Sequence, residues 1–216
     1  MTGKSEFESA ESGQPQPNNP ADPIRLTMNG KPVSTVPNKT VINFKSGFGP
    51  KLLCDDLTFT TGTACAYSCS FCSVPHTMRK HWPWLRKQGV IGRHEDIVIR
   101  RENPVEIARQ QLKNAKRKGE PLVIYASPLV DVAANMELLR ETVEMCKLIL
   151  EETAWHIRLL SKSNLLPKIA QALASTSVKL KCGRHRARII YGVSTGTLDD
   201  KLAQAFEENC PLVSKR

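Results

Sequence analysis

The sequence predicts an α/β fold, specifically a partial (β/α) barrel with about four of six parallel strands present. Three apolar, β-branched runs at 121–127 (PLVIYAS), 154–161 (AWHIRLLS) and 187–194 (ARIIYGVS) begin 33 residues apart, with one helical pattern in each interval. A fourth run of β-formers at 57–61 (LTFTT) stands ahead of them. Parallel strands joined by right-handed helical crossovers produce this alternation, and the near-constant period favours a barrel over an irregular open sheet.

Residues 1–39 are rich in Pro, Asn, Ser and Gly and show no periodicity. They bury too little apolar surface to offset the entropy of ordering, so a disordered tail is expected, with 40–216 as the folded part. After the run at 57–61 comes a long connection, and then the first helix at 103–119. Asn103 is its expected cap, Pro104 its first residue and Gly119 its end. The second helix starts from a cap at Asn135 and sets Leu138, Leu139, Val143, Cys146, Ile149 and Leu150 on one broad stripe. In the third, Pro167 falls in the first turn, where proline is tolerated. The fourth follows Thr197 as expected cap, with Asp199 and Asp200 complementing the helix dipole.

The 216 residues are 40% apolar and 24% charged, ordinary for a globular chain. No run approaches the roughly 20 apolar residues that span a bilayer, and the N-terminus lacks the apolar core of a signal peptide. A cytoplasmic location is expected, where seven cysteines stay reduced instead of building a disulfide framework. The formal net charge of +10 suits a polyanionic partner such as nucleic acid, but equally a solvated basic surface.

The chemistry-bearing motif is "GTACAYSCSFCSVP", which sets Cys65, Cys69 and Cys72 in a Cys-x3-Cys-x2-Cys pattern directly after the first run. Spacing this short lets three thiolates converge. Three readings stand. A structural zinc needs four ligands, and His76 could complete a Cys3His set in a non-enzymatic nucleic-acid-binding protein. The thiols could be inert packing beside Tyr67 and Phe71. A 4Fe-4S cluster on three cysteines leaves one iron open for a substrate or cofactor.

This motif, with the aromatic Phe71 before the last cysteine and the βα rhythm behind it, resembles the radical S-adenosylmethionine (radical SAM) superfamily. "LLSKSNLLPKIAQAL" and "YGVSTGTLDDKLAQAFEENCPLVSKR" resemble the third and fourth strand units of its spore photoproduct lyase-like branch. The resemblance runs from Lys51 to Arg216. It implies a lyase-like enzyme in which Cys65, Cys69 and Cys72 hold a 4Fe-4S cluster and S-adenosyl-L-methionine occupies the open iron. Reductive cleavage then gives a 5′-deoxyadenosyl radical that abstracts hydrogen from a substrate the resemblance does not identify, a nucleic acid being one candidate and other members of the branch having unassigned substrates. It also implies that Phe71 packs near the adenine, Ser127 holds the SAM amino group, Lys162 meets the carboxylate, and Ser194 reaches the carboxylate or ribose. A flavodoxin- or ferredoxin-like electron donor is implied as partner.

Two departures accompany the resemblance. Spore photoproduct lyase carries a hydrogen-donating cysteine on its second strand, where this chain has Ala126 and Ser127. Four strands instead of six imply a truncated product, inactive or not, or a companion chain that completes the barrel. A sheet ending at the fourth strand would expose an apolar edge and favour aggregation.

Two basic segments remain. "RKHWPW" (79–84) lies in the long connection and could stack on nucleic acid or form a lid over the barrel mouth. "KLKCGRHRAR" (179–188) is a solvated basic loop or a phosphate-binding patch. Cys54 and Cys182 read as lone thiols.

Overall fold

A computed structural model describes residues 27–28, 30–65, 67–174 and 188–216. In chain order its strands are β1 Thr27–Met28, β2 Lys31–Val36, β3 Ile42–Asn43, β4 Leu57–Phe59, β5 Gly62–Ala64, β6 Val98–Arg101, β7 Val123–Ala126, β8 His156–Ser161 and β9 Ile189–Val193. Its α-helices are α1 Gly49–Leu52, α2 Val74–Met78, α3 Trp82–Lys87, α4 Pro104–Lys113, α5 Met136–Glu152, α6 Leu166–Ala174 and α7 Asp200–Phe206.

The fold is mixed α/β, built on two sheets. The larger has the order β3-β4-β7-β8-β9. Its β4, β7, β8 and β9 are the four expected strands, parallel and adjacent in sequence order, while β3 pairs antiparallel with β4. One face carries Leu57, Phe59, Ile124, Ala126, Ile157 and Leu159 into a core shared with α4, α5 and α6. Side chains alternate along a strand, so Tyr125 and Leu160 point to the opposite face, where the cysteine motif lies. Among the described residues β9 is an edge strand, and no closure into a barrel is formed.

The second sheet, β1-β2-β6-β5, was not expected from the sequence. It corrects the tail boundary: of the segment 1–39 expected to be disordered, Lys31–Val36 form β2, whose Val33–Val36 pair in parallel with Val98–Arg101. Residues 1–26 lie outside the described residues. The sheet also corrects what precedes the cysteines. The motif follows β5, an antiparallel strand, instead of β4 directly. Gly62 is required there, because a Cβ would stand 2.7 Å from the Ile99 carbonyl oxygen at the irregularity between β5 and β6.

The helices keep their expected positions with changed ends. Asn135 Oδ1 accepts from the Leu138 amide at 3.0 Å, as expected of a cap, and the expected stripe of α5 is buried. Asn103 does not cap with its side chain; it sits in the left-handed region, and α4 ends at Lys113, short of Gly119. Asp199, not Thr197, caps α7, accepting from Lys201 and Leu202 amides at 2.8 and 3.0 Å. Thr197 Oγ1 instead accepts from the Asp199 amide. The long connection is largely ordered by α2, α3 and β6. Val74, Met78 and Leu85 enter a core with Val36, Ala64 and Ile99, and Arg86 lies 5.2 Å over the Trp82 ring. No helix of the described residues is long and apolar enough to cross a membrane.

Candidate functional site

Strand direction builds the site. β7, β8 and β9 are parallel, so the residues after their C-terminal ends emerge together. Ser127 follows β7, Lys162 follows β8 and Ser194 follows β9. The cysteine loop reaches the same place from β5. It is tied to the end of α7 by Ser70, whose amide donates to the Phe206 carbonyl at 2.9 Å. On its other side Lys31 Nζ bonds Ser68 Oγ and the Glu95 carbonyl oxygen.

The result is a cavity of about 270 Å³ lined by every residue the sequence singled out for cluster and SAM: Cys65, Cys69, Cys72, Phe71, Ser127, Lys162 and Ser194. Lys162 Nζ donates to Ser194 Oγ at 3.2 Å and stands 5.2 Å over the Phe71 ring, which is itself exposed at the rim. Ser127 Oγ donates to Thr60 Oγ1 at 2.6 Å, and Thr60 Oγ1 donates to the Gly62 carbonyl at 2.6 Å, so both hydroxyls are held.

Four polar or thiol groups here were not read from the sequence. Glu207 Oε1 accepts from Lys162 Nζ at 2.7 Å, and Arg216 approaches Glu207 Oε2 at 2.5 Å, all three side chains being largely buried. Burial raises the Glu207 pKa, but bonds from Lys162 and Arg216 outweigh it and hold the carboxyl below the ordinary range. Asp131 Oδ1 accepts from Ser161 Oγ at 2.6 Å and the Ala133 amide at 2.9 Å, while Oδ2 accepts from the Lys162 amide at 2.7 Å. Burial nevertheless pushes its pKa up. Cys210 Sγ lies 3.7 Å from Cys69 Sγ. Glu207 opens the E-x-x-x-P ending of the fourth helical segment, but no local pattern marks Asp131, Cys210 or Arg216, which only the fold brings to it.

The thiols differ in acidity. Burial pushes Cys65 up to about 11 and raises Cys72 as well. Cys69 is lowered, first by the bond from Cys210 and further by Lys162.

A metal centre can be tested against this geometry. The donor set is right in kind and in place: three soft thiols line one cavity, and both oxygens of the nearby Asp131 are already engaged. The side chains are not yet converged, because among the described residues no group of three or more His, Cys, Asp or Glu is arranged to hold a metal ion. Cys69 rests on Cys210, and Cys65 packs against the cluster of Tyr67, Val130 and Leu138, so a bound centre requires these thiols to leave those contacts and converge. The Cys3His alternative is not formed. His76 is exposed on α2 and does not line the cavity.

Cys146 is fully buried in the main core, as expected of a packing thiol. The basic segment at 179–188, with Cys182, lies outside the described residues except for Arg188, which donates to the Thr153 and Trp155 carbonyls. Compared with protein-family models, curated proteins and solved structures, the chain matches none.

Proposed function

We propose that this chain is a radical SAM enzyme of the spore photoproduct lyase-like kind, or a part of one. Cys65, Cys69 and Cys72 would hold a 4Fe-4S cluster, and Phe71, Ser127, Lys162 and Ser194 would receive S-adenosyl-L-methionine. One observation carries this reading: the three thiols and the hydroxyl and ammonium groups after three parallel strands line one cavity. The chemistry supplied by such a cofactor pair when bound is one-electron cleavage of the sulfonium to methionine and a hydrogen-abstracting 5′-deoxyadenosyl radical.

The chain's own residues suit a zwitterionic ligand. The Lys162 ammonium can meet a carboxylate while Glu207 and Ser194 hold it in place. The Ser127 hydroxyl can accept from an ammonium group while still donating to Thr60. Leu129, Val130 and Leu160 give the cavity an apolar wall that keeps water from a reactive species. In this reading β4, β7, β8 and β9 are the first four strands of a six-stranded partial barrel, and a further segment or companion chain pairs with β9. A reducing cytoplasmic setting and a flavodoxin- or ferredoxin-like donor belong to the same reading.

Anaerobic reconstitution with iron and sulfide tests it. The expected product is brown, has broad visible absorbance that bleaches with dithionite, and forms 5′-deoxyadenosine from SAM. A colourless protein with stoichiometric zinc overturns the reading. A fully loaded cluster that forms no 5′-deoxyadenosine overturns the enzyme and leaves an inactive fragment.

A further inference from the structure

A second cavity, about 670 Å³, shares one wall with the cysteine site: Leu129 lines both. It lies between the end of β2, β5, the end of β6 and helix α3, and no cysteine of the described residues lines it. Its volume is in the range of small-molecule sites.

Its polar groups are incomplete. Thr63 is buried, yet among the described residues its Oγ1 has no hydrogen-bond partner. Asn38 donates through Nδ2 to the Glu102 carbonyl at 2.9 Å, while among the described residues its buried Oδ1 accepts from nothing. Arg101 contacts the Thr40 carbonyl, and among the described residues no carboxylate pairs with its guanidinium. Burial alone pushes its pKa down to about 10. Trp84 lines the same cavity with 43% of its surface exposed. Buried polar groups are satisfied as a rule, and the half-buried Arg101 guanidinium has a carbonyl but no counter-charge. An orphaned acceptor, an orphaned hydroxyl, an uncompensated cation and an open indole face therefore describe a ligand by what they lack.

We propose that this cavity binds a small planar organic anion. Its ring lies on Trp84, its charge on Arg101, and a ring N–H donates to Asn38 Oδ1, with the Thr63 hydroxyl as a further partner. The anionic group is a phosphate or a carboxylate. The site goes beyond the cluster reading and stands whether or not the cysteines hold iron. Through Leu129 it would seat its ligand beside the cysteine cavity.

Isothermal titration calorimetry on the purified full chain tests this with two charged probes and their neutral partners: uridine 5′-monophosphate against uridine, and indole-3-acetate against indole-3-acetamide. At least one anion should bind roughly tenfold or more tightly than its neutral partner, as a charge-assisted contact requires. Preference for the nucleotide identifies a phosphate site, and preference for the acetate a carboxylate site. Arg101→Gln should abolish the preference. Thr63→Val should weaken the anion by up to about tenfold while leaving the melting temperature equal or higher, because it removes an unsatisfied hydroxyl. If Arg101→Gln does not fold, Thr63→Val decides. Equal binding of charged and neutral probes, no binding of any probe at millimolar concentration, or wild-type affinity in Thr63→Val overturns the proposal.

Discussion

Cys69 Sγ and Cys210 Sγ lie 3.7 Å apart, although 141 residues separate them in the chain. The contact joins the cysteine motif to the turn after α7, and it makes the three motif thiols unequal. With Cys210 donating, Cys69 is lowered, whereas burial raises Cys65 to about 11. A lower pKa means more thiolate at a given pH, and thiolate is the reactive form. In metal-free reduced protein near neutral pH, iodoacetamide should therefore label Cys69 well before Cys65, with the fully buried Cys146 last. Cys210→Ala should slow labelling of Cys69. Peptide mass spectrometry reads the order, and Cys65 leading would refute this account.

Glu207 faces two buried cations, Lys162 and Arg216. Removing a single acid that neutralises both leaves two uncompensated charges, so Glu207→Gln should destabilise the chain by about 3 kcal/mol or more in urea unfolding. Lys162→Met should cost less, because Arg216 still pairs with the acid. The pH dependence has a definite sign. The native carboxyl is held below its ordinary 4.5, so its contribution is complete above 4.5 and disappears as pH falls through the lowered native value. Glu207→Gln should flatten that acid limb. Parallel limbs in both proteins would remove Glu207 as its source.

What the sequence disclosed follows from what burial does to sequence patterns. β7 and β8 are buried on at least one face and read as apolar runs, and α5 shows its buried stripe because nine of its residues are buried. β2 was missed because KPVSTV is half-exposed, contains a proline and pairs only with the small sheet. Its partner was legible: residues 97–100 (IVIR) form an apolar β-branched run inside a segment read as a loop. The cysteines, Phe71, Ser127, Lys162 and Ser194 were legible because each stands in or next to a motif or strand end. Glu207 stood in the E-x-x-x-P helix ending without a sign of its buried partners, and Asp131 could not be told from any loop aspartate. Their roles arise from partners 45 and 31 residues away, Lys162 in each case.

Among the described residues, the β9 edge and the turn after it leave apolar surface open. Ile190, Val193 and Leu198 are 52%, 49% and 87% exposed, and Leu202 and Phe206 on α7 are exposed nearby. An unpaired strand edge beside an exposed apolar patch favours association. The purified chain should show concentration-dependent growth in light scattering, and Ile190→Lys with Leu198→Glu should suppress it. A wild-type chain that stays monodisperse at all concentrations would mean that this surface is covered from within.

Asp131 gives the opposite pH signature to Glu207, although both bond to residue 162. Asp131→Ala deprives Ser161 Oγ and the amides of Ala133 and Lys162 of their acceptor, and should cost about 2 kcal/mol. Burial raises the native carboxyl above its ordinary 3.8. The proton is therefore bound more tightly in the folded state, and the linked stabilisation is fully present below 3.8 and lost as pH rises through the native value. The stability difference between wild type and Asp131→Ala should shrink over that interval, while the difference between wild type and Glu207→Gln grows as pH rises toward 4.5. Urea unfolding of the three proteins at several acid pH values separates the two carboxylates. Matching slopes would show that the Asp131 hydrogen bonds outweigh its burial.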